Sequence, residues 1–348
     1  MIPADGEYNL MLTALLECGR RQPVTRDVTP YTVELEQPPF SLRHYHLAGR
    51  KSGGRPLLVV YSTVNRPDLL DLSPRRSMIL ALLRAGLDIY VVDWGYPIDA
   101  DAPLDLDDYV AGYLHACCNH IGSRHGIKAV DAAGVCQGGT LLTCYAALHP
   151  EWISTLINLA APLDFHAAPT ALAELATSIP LGDMNGLPGN VPGMALSIAF
   201  AALKPTDLLV RRYQGLSSLR DRPDLLEEFL HMESWMYDCP DQPGRMFTDF
   251  VSCFYHGNAL ARGELVIAGN RIRTESISAR VLNVCARDDH LVPPPCTRAL
   301  SRSVPAKRYR EIEVNGGHLG IFLGGVAQRE VIPAMLQWLG CSGSQLPD

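Results

Sequence analysis

The run Gly-Val-Cys-Gln-Gly-Gly at 134–139 has the residue types and spacing of a nucleophile held on a sharp turn. A predicted strand leads into the run and a predicted helix follows it. At such a turn the two backbones come too close for a Cβ, so Gly134 and Gly138 are the residues that the geometry requires. Cys136 would project above the sheet, where its thiolate can attack an acyl carbon. The alternative is that Cys136 is one more buried thiol beside an accidental pair of glycines.

Two backbone amides are placed to stabilise the negative charge that such an attack creates. Gln137 follows the cysteine and begins the predicted helix, so its N–H is available to an oxyanion. Val64 follows the strand predicted at 56–61, in the loop where hydrolases place their second oxyanion amide. We therefore expect Gln137 and Val64 to form an oxyanion hole.

A nucleophilic cysteine also needs a base and a group that orients the base. His318 follows the strand predicted at 309–314, and Asp288 and Asp289 follow the strand predicted at 280–285. Loops after the carboxyl ends of parallel strands meet at one edge of a sheet. Each residue alone is equally well explained as a solvated turn residue. Together they follow the cysteine in the order acid, then histidine, which is the order of α/β hydrolases, with either aspartate as the acid.

Strands and helices alternate through the first half of the chain and again near its end. Strands are predicted at 56–61, 89–92, 128–133, 280–285 and 309–314, an apolar run spans 152–159, and helices are predicted at 77–85, 105–125, 140–148 and 326–339. This alternation predicts an α/β fold of the α/β-hydrolase kind, with a mostly parallel sheet and helices on both faces.

The same pattern divides the chain. Residues 1–54 are irregular in pattern and are expected to form an N-terminal segment. Residues 55–348 are expected to form the catalytic domain. A stretch at about 164–275 is richer in Pro, Gly, Asp and aromatic residues and has helical but little strand signal, so we expect a helical cap insertion there.

Composition excludes several classes of protein. With 348 residues, 47% of them apolar and 19% charged, the chain can bury a large core and is not disordered. A net charge of −7 argues against a nucleic-acid partner. No apolar stretch in the sequence is long enough for a membrane span, and the first residues do not resemble a secretory signal. We therefore expect a cytoplasmic protein.

The ten cysteines are scattered and include no C-x-x-C pair, which fits free thiols in a reducing compartment. A metal site could be suspected at His115, Cys117, Cys118 and His120. These residues lie on one predicted helix, and no second cluster completes a ligand set. We therefore predict neither a metal nor a cofactor.

The motifs together resemble those of polyhydroxyalkanoate synthases. The resemblance runs from about residue 55 to 340, and the shortness of the chain points to the class III catalytic subunit. It rests on Val59-Val60-Tyr61-Ser62-Thr63-Val64-Asn65-Arg66-Pro67, Asp93-Trp94-Gly95-Tyr96-Pro97, Leu106-Asp107-Asp108-Tyr109, Gly134-Val135-Cys136-Gln137-Gly138-Gly139, Asp289-His290-Leu291-Val292-Pro293-Pro294 and Gly317-His318-Leu319-Gly320-Ile321.

The resemblance implies an acyltransferase that polymerises (R)-3-hydroxyacyl-CoA, chiefly 3-hydroxybutyryl-CoA, into polyhydroxyalkanoate and releases CoA. It implies that Cys136 is the nucleophile, His318 the general base and Asp289 the acid partner, with His290 in a supporting role. A second carboxylate, Asp288, lies directly beside Asp289.

The resemblance also implies partners. It predicts a second, non-homologous synthase subunit of the PhaE type, a homodimer or hetero-oligomer, and a location at the surface of polymer granules in the cytoplasm. Two other functions stay open. One is a cysteine-dependent hydrolase such as a thioesterase, lactonase or depolymerase, which would share the triad but admit water. The other is a non-catalytic granule protein, which would be expected to have lost part of the triad.

Overall fold

An eight-stranded sheet runs through the computed structural model, which describes residues 28–47, 49, 53–180, 189–204, 213, 216–219 and 222–341. The strands are β1 (Tyr31–Gln37), β2 (Phe40–Tyr45), β3 (Arg55–Val60), β4 (Leu87–Asp93), β5 (Val130–Val135), β6 (Ile153–Leu159), β7 (Val266–Ile267), β8 (Asn270–Arg271), β9 (Arg280–Ala286) and β10 (Tyr309–Val314). The order in the sheet is β1-β2-β4-β3-β5-β6-β9-β10, while β7 and β8 pair separately. From β4 to β10 all neighbours are parallel, so the predicted mostly parallel sheet is confirmed.

Helices cover both faces of this sheet. They are α1 (Met78–Arg84), α2 (Leu114–His125), α3 (Gln137–Leu148), α4 (Ala171–Ser178), α5 (Gly193–Leu203), α6 (Pro223–Met236), α7 (Gly244–Phe250), α8 (Pro294–Thr297), α9 (Gly324–Val326) and α10 (Ile332–Leu339). Single turns of π-helix precede α2 and α10 and follow α7, at Asp108–Tyr113, Ala327–Val331 and Val251–His256. One apolar core lies between the sheet and α2 and α3, and a second lies between the sheet and α1 and α10.

The turn around the predicted nucleophile is tighter than the sequence indicated. β5 continues to Val135, two residues beyond the predicted end of the strand, and α3 begins at Gln137, three residues before the predicted start. Gly134 is therefore a strand residue, paired with Asn158 of β6, and not part of the turn. A single residue, Cys136, reverses the chain between strand and helix.

A hairpin that joins the main sheet lies within the N-terminal segment expected at 1–54. β1 and β2 form an antiparallel pair, and β2 continues the main sheet by pairing with β4, with Leu42 opposite Val92. Residues 31–45 therefore belong to the same sheet as the predicted catalytic domain. Residues 1–27 of the predicted segment lie outside the described residues.

A buried charge network attaches this hairpin to the sheet. The imidazole of His44, on β2, is fully buried, and its Nδ1 and Nε2 atoms lie 2.9 Å from Glu34 Oε1 and 2.6 Å from Asp88 Oδ1. Since both partners are carboxylates, which only accept hydrogen bonds, both ring nitrogens must donate. His44 is therefore an imidazolium, and its two carboxylates outweigh burial and raise its pKa.

Between β6 and β9 the described residues are mostly helical. They form α4, α5, α6 and α7 and the two-residue strands of the β7–β8 hairpin, and β7 and β8 do not join the main sheet. Residues 181–188, 205–212, 214, 215, 220 and 221, within the predicted cap insertion, lie outside the described residues.

One helical stretch among the described residues, His318–Leu339, is long and apolar enough to cross a membrane by length and composition. Its residues Ile332, Met335 and Leu336 are buried against the sheet. Core helices commonly pass the same test, so this stretch is weak evidence for a span.

Candidate active site

Cys136 occupies a strained position on the turn between β5 and α3. Its φ of 50° and ψ of −125° are a backbone conformation that few residues other than glycine adopt. A Cβ on Gly134 would lie 2.3 Å from the Cα of Gly139, and one on Gly138 would lie 2.3 Å from the carbonyl oxygen of Tyr61. The two glycines singled out in the sequence are therefore required by close backbone contacts.

His318 and Asp289 come from two loops at the same edge of the sheet. His318 lies after β10 and Asp289 after β9, and the Nδ1 atom of the histidine is 2.6 Å from Oδ2 of the aspartate. The other carboxylate oxygen of Asp289 accepts the backbone N–H groups of Leu291 and Val292, each at 2.9 Å. Asp288 is exposed and lines the cavity described below, so Asp289 is the one of the two carboxylates that hydrogen-bonds His318.

Cys136 and His318 are electrostatically coupled. Burial of His318 by itself would lower the pKa of the imidazole. The charge of the Cys136 sulfur and the hydrogen-bonded Asp289 carboxylate outweigh burial and raise that pKa to about 10. Because Nδ1 faces Asp289, Nε2 is the nitrogen left to exchange a proton with the thiol.

The Gln137 side chain binds the loop that follows β3. Its Oε1 atom accepts hydrogen bonds from Thr63 Oγ1 at 2.6 Å, Thr63 N at 3.2 Å and Ser62 Oγ at 3.3 Å. The Gln137 amide is the first of α3 and has no carbonyl partner within the helix. The Val64 amide donates to Ser62 Oγ at 3.1 Å. Both predicted oxyanion residues thus line the same cavity as Cys136.

These residues border a cavity of about 580 Å³. Its floor includes Cys136, Gln137, Val64 and His318. Much of its wall comes from apolar and aromatic side chains in the segment between β6 and β9: Leu172, Phe200, Trp235, Met236, Phe250 and Tyr255. An apolar wall of this kind is suited to binding an apolar ligand and to restricting the access of water.

The polar part of the cavity lining is small. His290, predicted to support the triad, is exposed and lines the cavity beside Asp288. Among the described residues no three or more His, Cys, Asp or Glu side chains are grouped so as to hold a metal ion.

Several residues that shape the site escaped the sequence analysis. Ser62 and Thr63 anchor the oxyanion loop to Gln137, and Gln242 donates to the Thr63 carbonyl. The polar side chain of Gln137, directly after Cys136, could have indicated a hydrogen bond to a neighbouring loop. Gln242 is 179 residues from Thr63, and nothing local in the sequence marks it.

The fold and the site define the class of protein. A family described as the alpha/beta hydrolase fold matches residues 70–325. Among solved structures, a putative lipase from Sulfolobus solfataricus is similar with a TM-score of 0.57 and 17% identity, covering 89% of this chain and 92% of that one. The chain is a member of the α/β-hydrolase superfamily.

Curated relatives define the family within that class. The poly(3-hydroxyalkanoate) polymerase subunit PhaC of Allochromatium vinosum is 40% identical over 82% of this chain and 80% of the relative. The PhaC subunit of Synechocystis is 37% identical over 82% of this chain and 77% of the relative. The PhaC subunit of Haloferax mediterranei is 32% identical over 89% of this chain and 63% of the relative. The chain belongs to the family of poly(3-hydroxyalkanoate) polymerase PhaC subunits.

Proposed function

We propose that this protein polymerises (R)-3-hydroxyacyl-CoA, chiefly 3-hydroxybutyryl-CoA, into polyhydroxyalkanoate through a covalent thioester on Cys136. The observation that carries the proposal is a strained cysteine coupled to a His318–Asp289 pair at the floor of an apolar cavity. Membership of the polymerase family supports the same activity.

Acylation is the first step. The thiol of Cys136 gives its proton to His318 Nε2, and the thiolate attacks the carbonyl carbon of the acyl-CoA. The oxyanion that forms is stabilised by the amides of Gln137 and Val64. When the C–S bond to CoA breaks, CoA leaves as a thiolate and takes the proton from His318. The products are a Cys136 thioester and free CoA.

Elongation is the second step. The 3-hydroxyl oxygen of another hydroxyacyl unit attacks the Cys136 thioester, and its proton passes to His318 or Asp289. An ester C–O bond forms, the C–S bond to Cys136 breaks, and the thiolate regains a proton. A thioester is a higher-energy acyl donor than the oxoester produced, so the reaction runs toward polymer. A cysteine therefore retains the activation of the substrate until the acceptor arrives.

Exclusion of water decides between polymer and free acid. We assign the segment at about 164–275 as the cap, because its described side chains supply most of the apolar cavity wall. An apolar wall lowers the chance that water reaches the thioester before a hydroxyl does.

Product analysis with (R)-3-hydroxybutyryl-CoA tests the proposal. Insoluble polyester formed together with CoA release is the expected result. Soluble 3-hydroxybutyrate with CoA release would instead identify a cysteine-dependent hydrolase. Absence of CoA release would leave a non-catalytic granule protein as the better description.

We further propose that the chain works at the surface of polymer granules with a second, non-homologous subunit of the PhaE type, in a homodimer or hetero-oligomer. The cavity supports a need for assistance, because an insoluble chain must leave a site that is lined largely by apolar side chains. A partner that favours an open arrangement of the cap would act by shifting populations.

A further inference from the structure

We propose that Gln242 is a positioning residue that aims the Val64 amide at the oxyanion of the reacting thioester. This inference rests on the proposed function, because it gives the Val64 amide a part in acyl transfer. Gln242 touches no substrate in this role and acts only through the backbone of Thr63.

The side chain of Gln242 has one orientation that its surroundings allow. Gln242 lies between α6 and α7 and is 4% exposed. Its Nε2 atom is 2.6 Å from the carbonyl oxygen of Thr63 and 3.4 Å from that of Pro240. Both neighbours accept hydrogen bonds, so the side chain must present its NH2 group to them.

The bond to Thr63 fixes the direction of the Val64 N–H. The carbonyl of Thr63 and the amide of Val64 belong to one peptide group, which is planar and trans. In such a group the N–H points opposite to the C=O. A donor that holds the Thr63 oxygen therefore sets the line along which the Val64 amide donates.

Gln137 alone cannot fix the direction of the Val64 N–H. Its Oε1 atom holds the amide and the hydroxyl of Thr63 at 3.2 Å and 2.6 Å, which fixes that residue on its N-terminal side. Rotation about the Cα–C bond of Thr63 would still swing the next peptide group. The hydrogen bond from Gln242 to the Thr63 carbonyl oxygen restricts this rotation.

The Val64 amide has a partner that a substrate can replace. It donates to the hydroxyl of Ser62 at 3.1 Å. The same N–H can be shared between Ser62 Oγ and an oxyanion without rotation of the peptide group, and the oxyanion is the stronger of the two acceptors. The donor is thereby kept in place and satisfied until the charge appears.

Gln242 also connects this donor to the cap. Its backbone forms a reciprocal pair with Val191, with N–O distances of 2.8 and 2.9 Å, directly before α5. Residues of α5, including Phe200, line the cavity. The position of the Val64 amide consequently depends on the cap segment being seated on the sheet domain.

Gln242→Leu tests the inference, since leucine has a similar size and cannot donate. We expect kcat for CoA release from 3-hydroxybutyryl-CoA to fall about 10- to 100-fold, with KM changed less than about threefold. Alkylation of Cys136 by iodoacetamide develops no oxyanion, so its rate should match that of the wild type. Gln328→Leu is the matched control, because Gln328 also donates to a backbone carbonyl, that of Ser77, away from the site.

Gln242→Glu supplies a second measurement. It tests whether a hydrogen-bond donor is needed at position 242, even where the leucine variant folds poorly. A carboxylate cannot donate to Thr63, but a carboxylic acid can. The ratio of variant to wild-type kcat should therefore rise as the pH falls, while the ratio of alkylation rates stays flat. An unchanged kcat in Gln242→Leu, or parallel loss of alkylation and acyl transfer in both variants, would overturn the inference alone. No CoA release by the wild type would overturn the proposed function and this inference with it.

Discussion

The Nδ1 atom of His318 lies 2.6 Å from Oδ2 of Asp289, while Oδ1 of the same carboxylate is held by two backbone amides. The aspartate therefore cannot turn away from the histidine without leaving those amides unsatisfied. It fixes the ring so that Nε2 is directed away from Asp289 and is available to Cys136. Its neighbour Asp288 is exposed and lines the cavity.

Replacement of Asp289 by asparagine should reduce acyl transfer by about 10³- to 10⁴-fold, the scale seen when a triad loses its orienting carboxylate. We expect elongation to suffer more than acylation, so that an acyl-enzyme accumulates. Intact-protein mass spectrometry would detect the added acyl mass on Cys136. Asp288→Asn is the matched control and should change turnover less than about tenfold. The opposite ranking of the two variants would make Asp288 the partner of the histidine.

The placement of Cys136 and His318 at one edge of the sheet could be predicted from sequence because local signals mark both residues. Cys136 stands in a run of glycines between a strand and a helix, and His318 follows a strand in the expected chain order. Nothing in the local sequence distinguishes Asp288 from Asp289 as the residue that hydrogen-bonds His318. It depends on which carboxylate the loop after β9 turns inward, and backbone amides two and three residues further along decide that.

The N-terminal strands were missed for a different reason. β2 carries Arg43 and His44, which in sequence look like surface residues, yet both are buried. Arg43 pairs with Asp68 and Asp93, and His44 pairs with Asp88. Buried charges are tolerated only when such partners neutralise them. These partners are 25 to 50 residues away, so alternation of apolar and polar residues could not reveal the strand.

Cys136 should be the one cysteine essential for chemistry. Cys136→Ala should abolish CoA release and leave the melting temperature nearly unchanged. In Cys136→Ser the rate of CoA release should fall at least about 100-fold. A hydroxyl has a much higher pKa than the thiol whose charge His318 senses. Cys253→Ala is the control, as that thiol is half-buried outside the cavity lining. Wild-type turnover by the alanine variant at 136 would remove this residue from the mechanism.

Gly138→Ala should damage both fold and activity. The new Cβ would lie 2.3 Å from the carbonyl oxygen of Tyr61, a backbone atom that cannot move without shifting β3. We expect a loss of about 3 kcal/mol or more in the free energy of unfolding, measured by urea titration. Gly112→Ala is the matched control, because nothing lies within 4 Å of its new Cβ. A Gly138→Ala protein as stable as the control would contradict the close approach of strand and helix.

The purified chain alone should release CoA slowly and after a lag. Addition of a PhaE-type subunit should shorten the lag and raise the rate, because a partner that favours an open cap increases the fraction of competent molecules. The measurement is CoA release with time at several ratios of the two chains. The Cys136→Ala chain with the partner present provides the blank. Full, lag-free polymerisation without the partner would argue against its requirement and leave the triad untouched.

The charge network at His44 should make stability depend on pH in a defined direction. The pKa of His44 is raised in the folded protein, whereas an unfolded histidine titrates near about 6.5. A raised pKa means that the folded state holds the proton more tightly. The resulting stabilisation is therefore fully present below about pH 6.5 and is lost as the pH rises through the pKa of the folded state.

His44→Gln should remove this contribution, because a neutral amide cannot balance Glu34 and Asp88, which lie 2.9 and 2.6 Å from the imidazole. We expect the variant to be less stable by on the order of 3 kcal/mol near pH 6, as when one member of a buried ion pair is removed. The difference from the wild type should shrink as the pH is raised. His46→Gln is the control. Burial and the nearby His44 lower the pKa of His46, so its contribution to stability should change with pH in the opposite direction. Urea titrations from pH 5.5 to 9 would measure how the stability difference between each variant and the wild type changes with pH. If the loss of stability in His44→Gln grows with pH, the buried imidazole is neutral.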